Sequence, residues 1–395
     1  MKKRNFNIPK YLNLKDIGGL ELFFSITPML AGFSLLGIPM SLLMWVILVA
    51  IVMMQGNIHM GKFKPMSIFV AYWAIHDFLI MFVDNVNIIG EIQQVIYFLS
   101  FFLLFPRLNF EKLKGSMNWI ALIAMGGLLY QWGFVVAGEG VHPLQIPGLT
   151  MPEGRLEQLS LRPSSFFMEP SSYVAFMVCP LAMALLEKKY PWAIVLILSI
   201  FLTTSTTGLV ASFIMLAMSV FGKRMRGISI IGIFIVGFCL YYALTNLEIF
   251  ELGVEKVENT DVNSNVRLSQ GPYVVSTMES AEFVFGAPYI SAYNYCISKG
   301  VMNVVFYGDS VYISTFWFLI LCYGVVGLLL YLNIFFYIAK KSRVTWPLLA
   351  FLLATIISSS YRFSIVFIFI MVVLMVIIKN EQMEKKYAKL NSIPN

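Results

Sequence analysis

The sequence predicts an all-α polytopic membrane protein of about twelve transmembrane helices, each needing about 20 mostly apolar residues to cross a bilayer. Three observations predict it. Of the 395 residues, 59% are hydrophobic and only 12% charged, roughly half the charge of a soluble domain, and the mean hydropathy is +0.79. Apolar runs of near-spanning length recur along the whole chain. The basic residues between those runs alternate in density, as they do in loops on opposite sides of a membrane.

The runs place spans near 18–37, 39–55, 66–84, 88–105, 118–137, 165–186, 190–204, 207–221, 228–246, 311–338, 346–359 and 363–378. The basic N-terminus (Lys2, Lys3, Arg4) precedes an apolar run too long for a signal-peptide core and without a small-residue cleavage site, so it reads as a retained first helix. With the N-terminus inside, only Arg155, Arg162, Lys256, Arg267, Lys299 and Arg362 of the 28 Lys and Arg fall outside. Every inner segment is then basic, and both termini are cytoplasmic. The net charge of +7 is thereby explained by topology, and no nucleic-acid partner is expected.

Two outer segments exceed the roughly 12–15 residues of ordinary loops. One is an external loop at 138–164. The other, a large external cap at 247–310 between the ninth and tenth spans, is acidic through Glu248, Glu251, Glu255, Glu258, Asp261, Glu279, Glu282 and Asp309. Leu247, Phe250, Val254 and Val257 keep helical spacing, and Asp261-Val262-Asn263-Ser264-Asn265 reads as a turn into a further helix. Around these loops the chain forms a single integral membrane domain, 1–395, with no visible internal repeat. Of Cys179, Cys239, Cys296 and Cys322, only Cys296 lies outside an apolar run, so no disulfide framework follows. His59, His76 and His142 are scattered, and no metal site or cofactor is expected.

The most informative stretch is Arg162-Pro163-Ser164-Ser165-Phe166-Phe167-Met168-Glu169-Pro170-Ser171. Pro170 should break the chain at Glu169, with Ser171 or Ser172 capping the resumed helix. Irregular backbone at membrane depth needs protein or a wet cavity around it, which would hold the carboxylate near Arg162. A salt bridge at a helix end is the alternative. Thr203-Thr204-Ser205-Thr206-Thr207-Gly208 forms a hydroxyl-rich turn, suited to sugars or phosphates or serving simply as a capped turn. Arg267 lies in the cap. Asp309, in Gly308-Asp309-Ser310, stands where a span enters from outside, and Asp309 or Ser310 as a helix N-cap is equally consistent. His76-Asp77 interrupts the third span, with Asp84 and Glu91 following. Ionisable groups in a span cost about 2.5–3.5 kcal/mol on insertion scales, so a proton path, a polar helix contact and a substrate cavity all stay open.

Together these pieces resemble the Wzy-type O-antigen and capsular polysaccharide polymerases, which look related to the O-antigen ligases. The Arg162–Ser171 motif carries the resemblance most specifically. The Thr203–Gly208 turn, the cap bearing Arg267, and the Gly324/Gly327 span after Asp309 are similar as well. The ligases commonly have a histidine near the place of Asp309, and that departure favours polymerase. The resemblance implies a membrane glycosyltransferase (GT-C-like) fold and a metal-independent transfer between undecaprenyl-pyrophosphate-linked glycans on the outer face of a bacterial inner membrane. It implies polysaccharide, lipopolysaccharide or capsule biosynthesis beside a flippase and a chain-length regulator. The expected roles are Glu169 first and Asp309 second as base, with Arg162, Arg267 and Arg155 on the pyrophosphate. Ser164, Ser165, Thr204, Ser205 and Thr206 are expected on the substrate. A ligase and a lipid-linked oligosaccharide transporter are the alternatives.

Overall fold

The computed structural model describes residues 17–56, 60–82, 88–151, 162–205, 266–289, 291–301, 303–307, 310–311, 313–342, 345–358 and 364–391, with Gly208, Ser212 and Met215. These residues are overwhelmingly helical. The helices are α1 (Gly19–Ile26), α2 (Met40–Met54), α3 (Lys64–Ile80), α4 (Ile88–Leu104), α5 (Phe110–Val136), α6 (Pro170–Leu186), α7 (Tyr190–Phe201), α8 (Val266–Ser276), α9 (Ser280–Phe285), α10 (Ala292–Ser298), α11 (Thr315–Lys341), α12 (Trp346–Ser358) and α13 (Ile365–Asn391). Two small antiparallel hairpins complete them, β1 (Ser34–Leu35) with β2 (Ile38–Pro39), and β3 (Phe306–Tyr307) with β4 (Ser310–Val311). Within α5, α11 and α13, the segments Phe110–Val136, Thr315–Lys341 and Ile365–Ala388 are long and apolar enough to cross a membrane, and shorter apolar helices accompany them. The chain is therefore an all-α, membrane-associated protein.

Most expected spans coincide with helices, and the first does not. The run at 18–37 is helical only over Gly19–Ile26, about 12 Å at 1.5 Å per residue, too short for a bilayer. Pro28 follows at once and has no N–H to donate. The chain then turns into the β1–β2 hairpin, whose Ser34 bridges to Thr150. Apolar composition alone could not separate this fold-back from a span. α5 begins well before its expected span because Asn109 caps it, its side chain accepting the Lys112 amide at 3.1 Å. The expected spans at 207–221 and 228–246, and the cap over 247–265, lie outside the described residues apart from the isolated helical positions Gly208, Ser212 and Met215.

The helices fall into two compact units. The first comprises Met1–Gly61, Leu99–Phe213 and Ile368–Asn395. Its core stacks Phe24 on Phe369 with centroids 4.7 Å apart, and sets Trp45 edge-on to Phe24 at 5.8 Å. The buried Asn118 side chain accepts the indole N–H of Trp192 at 3.0 Å, locking α5 to α7. Where α6 ends, Lys114 donates to Glu187, and Lys189 pairs with Glu187 at 2.6 Å. Burial pushes the Glu187 carboxyl up, but these two lysines outweigh it and hold it below the usual range.

The second unit comprises Lys62–Phe98 and Ile214–Phe367. Phe69, Tyr331 and Phe367 form an aromatic column, with successive centroids 5.4 Å apart. The described part of the expected cap contains α8, α9, α10 and the β3–β4 hairpin, while the expected turn at 261–265 lies outside the described residues. A capping box at Glu279 and Glu282 starts α9. Lys299 donates to both carboxylates at 3.1 Å, and these bonds raise it above the usual lysine range. Cys296 is buried here, and burial pushes its thiol up to about 11.

Candidate functional site

In the first unit the site is built around the end of α5. Arg162, half-buried, opens an irregular segment in which Pro163, Ser164 and Ser165 are buried. The side-chain oxygen of Gln131 on α5 accepts the amides of Ser164 at 3.0 Å and Ser165 at 2.7 Å. Its amide nitrogen donates to the carbonyl of His142 at 3.1 Å. One buried side chain thus satisfies three backbone groups that no helix or strand satisfies, as such backbone requires. Ser164 Oγ closes the turn by donating to Phe167 O at 3.1 Å. Ser165 adopts φ 57°, a left-handed conformation uncommon outside glycine. Its hydroxyl is buried without a hydrogen-bond partner.

The segment ends at Glu169, the N-cap of α6, in extended conformation with Pro170 as the first helical residue. Glu169 is exposed, and Ser171 Oγ donates to its Oε1. The break at Pro170 is as expected; the cap is not. Neither Ser171 nor Ser172 occupies the cap position, because the chain enters the helix at proline directly and Ser171 already lies inside it. Among the described ion pairs, none joins Arg162 to Glu169.

The neighbouring residue of α5 holds the second motif. Trp132 Nε1 donates to Leu202 O at 2.7 Å, at the start of the hydroxyl-rich turn. Gln131 and Trp132 therefore bring the Arg162–Ser171 and Thr203–Gly208 motifs to one end of α5. Thr203, Thr204 and Ser205 are buried rather than presented outward. Thr203 donates to Ile200 O at 2.7 Å, and Ser205 Oγ accepts the Gly208 amide at 3.4 Å. Thr204 takes φ 52°, a costly conformation for a β-branched residue. Ser164 and Ser205 thus spend their hydroxyls on turn geometry. Arg155, Thr206 and Asp309 lie outside the described residues, as does the side chain of Arg267, whose backbone belongs to α8. The expected cap of the span after Asp309 differs too: α11 starts at Thr315 with Ser314 at its N-cap, because the β3–β4 hairpin intervenes.

The second unit holds a separate polar cluster. Asp77, 3% exposed, sits in the last turn of α3, where His76 Nδ1 lies 3.2 Å from its Oδ1. Tyr323 of α11 donates to its Oδ2 at 3.3 Å. Glu91 lies in the first turn of α4. Directly after Tyr323, α11 breaks. Gly324 has φ 66° and ψ −177° inside an otherwise continuous helix. Tyr72 Oη lies 2.9 Å from both Tyr323 O and Phe285 O, so one hydroxyl proton serves the broken helix and the end of α9 together. Ala287 donates its amide to Leu321 O at 2.8 Å. The sequence signalled the His76-Asp77 pair and Glu91. It gave no sign that a helix break and the α9 corner close over them.

No family profile, no curated protein and no solved structure matches this chain.

Proposed function

We propose that the chain is a membrane-embedded glycosyltransferase that polymerises undecaprenyl-pyrophosphate-linked oligosaccharide repeats on the outer face of a bacterial inner membrane. The observation that carries this reading is the Arg162–Glu169 segment, a non-helical stretch leading into α6, pinned by Gln131 and ending on an exposed carboxylate. Backbone of this kind persists beside lipid only where protein or a wet cavity satisfies it. Strain at Ser165 and Thr204, both beside α5, is of the kind that clusters at working sites.

The chemistry assigned to it is a displacement. The terminal sugar hydroxyl of one lipid-linked repeat attacks the anomeric carbon of a growing glycan. The new glycosidic C–O bond forms as the bond to pyrophosphate breaks, Glu169 takes the hydroxyl proton, and undecaprenyl pyrophosphate leaves. Arg162, with Arg267 and Arg155 from the outer loops, would match the charge that develops on the leaving group. Asp309 is the second carboxylate candidate. The threading with about twelve spans and inner termini, and the GT-C-like architecture, belong to the same proposal. A flippase and a chain-length regulator would be its partners.

Proteoliposomes supplied with a radiolabelled lipid-linked repeat test it. Wild-type protein should extend the label into a ladder, and Arg162→Ala and Glu169→Gln should each reduce the rate by about 100-fold or more. Undiminished extension by Glu169→Gln would remove the base assignment. A second reading, a lipid-linked oligosaccharide transporter, is favoured by one specific observation. α11 is discontinuous at Gly324 beside Asp77, and broken helices beside charged groups mark ion and substrate sites in transporters.

A further inference from the structure

We propose that the apolar end of α9, Phe283 to Ala287, is a re-entrant wedge sunk among lipid acyl chains, and no part of a cap standing outside the membrane. Two helices give its depth. α11 is long and apolar enough to cross a bilayer, and the wedge docks at Gly324, about 13 Å from the Thr315 end and about 25 Å from the Lys341 end. About 40 Å of helix overhangs a hydrocarbon core of roughly 30 Å by no more than about 10 Å on either side. Gly324 therefore stays within the hydrocarbon. α3 meets the wedge through Tyr72, in its middle turn, whose hydroxyl lies 2.9 Å from Phe285 O. The outward face of the same helix exposes Ile68, Ala71, Ile75, Phe78 and Leu79, an apolar stripe of the kind a spanning helix turns to lipid.

The wedge replaces lipid against one half of α11. Every residue from Phe318 to Gly324 is buried, with α8 and α9 packed on that half. Past the break, exposure returns at Leu329 and Phe336. The covering segment also descends. Gly271 of α8 lies on Trp317, where a Cβ would stand 2.1 Å from the indole, and tryptophan is a residue of the membrane–water interface. A Cβ at Gly286 would stand 2.3 Å from Cys322 O, and one at Gly324 would stand 2.3 Å from Val284 O and 2.5 Å from the Gly286 amide. From Trp317 to Gly324 is a further 10 Å or so along α11.

The polar groups of the joint are satisfied within the protein. Ala287 donates to Leu321 O at 2.8 Å, Gly286 donates to Glu282 O at 2.7 Å, and Tyr72 serves Phe285 O and Tyr323 O. Broken backbone at hydrocarbon depth requires this, whereas backbone in water does not. α9 itself is polarised along its axis. Glu279 and Glu282, at its start, are both bound to Lys299. Phe283, Val284 and Phe285, at its end, are all exposed, Phe285 by 60%. At the depth of the break, and beside the apolar stripe of α3, acyl chains are what covers them. This holds whether the protein polymerises or transports.

Photo-crosslinking reads the occupant directly. The full chain carries p-benzoylphenylalanine in place of Phe285, or of Phe283 should that variant fail to fold, and is reconstituted in dioleoylphosphatidylcholine vesicles. The same substitution at Phe336, an exposed position on α11 beyond the break, is the control for lipid contact. After irradiation, the intact mass of the 285 or 283 variant should shift by one phospholipid. Alkaline hydrolysis of the lipid esters should then leave a fatty acid on the peptide, which places the new bond on an acyl chain. An unshifted mass at both wedge positions while position 336 shifts would overturn the proposal. So would attachment through the headgroup alone, the mark of a cap above the membrane, or a shift by a second copy of the chain.

Discussion

The side-chain oxygen of Gln131 stands 2.7 Å from the amide nitrogen of Ser165, and the same oxygen accepts Ser164 at 3.0 Å. A glutamine in the body of an apolar helix thus holds open the segment that leads to Glu169. Removing a partner from a buried N–H costs about 1–3 kcal/mol, and here two lose theirs at once. Gln131→Ala should lower the thermal midpoint measured by fluorescence-detected size exclusion and abolish polymer synthesis. Gln131→Glu, which keeps the acceptor and loses only the bond to His142, should fall between. Equal behaviour of the two variants would show that the acceptor is not what matters.

Thr204 is β-branched yet adopts φ 52°. A left-handed conformation costs an ordinary L-residue roughly 1–2 kcal/mol, and asparagine tolerates it best after glycine. Thr204→Asn should therefore raise stability by about 1 kcal/mol, and Thr204→Val, which keeps the β-branch in the left-handed conformation, should not. Thermal midpoints of the two variants check this. If the strain serves a substrate site, Thr204→Asn should gain stability while losing transfer activity.

Much of the fold was legible in the sequence. The apolar runs marked α2, α3, α4, α7, α12 and the body of α13, and Pro170 marked the start of α6, because span length and proline chemistry are local signals. The first helix was not legible. Residues 27–37 are as apolar as a span, and only their pairing with Thr150 reveals the fold-back. The candidate site was half legible. Arg162, Glu169 and the Thr203 turn stood out as polar punctuation, but Gln131 and Trp132 did not, since one polar residue in a long apolar run carries no indication of the loop it will serve. The burial of Ser164, Ser165, Thr204 and Ser205 follows from that tertiary contact and from nothing near them in sequence.

Gly324→Ala should be strongly destabilising. The added methyl would stand 2.3 Å from Val284 O, and φ 66° adds roughly 1–2 kcal/mol of backbone strain. A loss of monodisperse protein, rescued by no second substitution on the distant face of α11, is the expected result. Wild-type behaviour of Gly324→Ala would mean that the helix runs straight through that position.

Glu187 gives a pH dependence whose sign is fixed. Its carboxyl is held below the usual range by Lys114 and Lys189 against the opposing effect of burial. The stability it contributes is present above the ordinary carboxylate value and is lost as pH falls through the depressed folded one. The difference in thermal midpoint between wild type and Glu187→Gln should therefore shrink in acid. A difference that grows in acid would contradict the lysine pairing.

The central claim is polymerisation of lipid-linked repeats at the Arg162–Glu169 segment, and the banding of surface glycan in cells tests it most directly. With the gene deleted, the account predicts surface glycan one repeat unit long. A ladder should return with wild-type complementation and fail to return with expressed Arg162→Ala or Glu169→Gln. Unpolymerised repeats trapped on the inner leaflet, or a full ladder left on its lipid carrier, would contradict the account, the first in favour of a transporter and the second of a ligase.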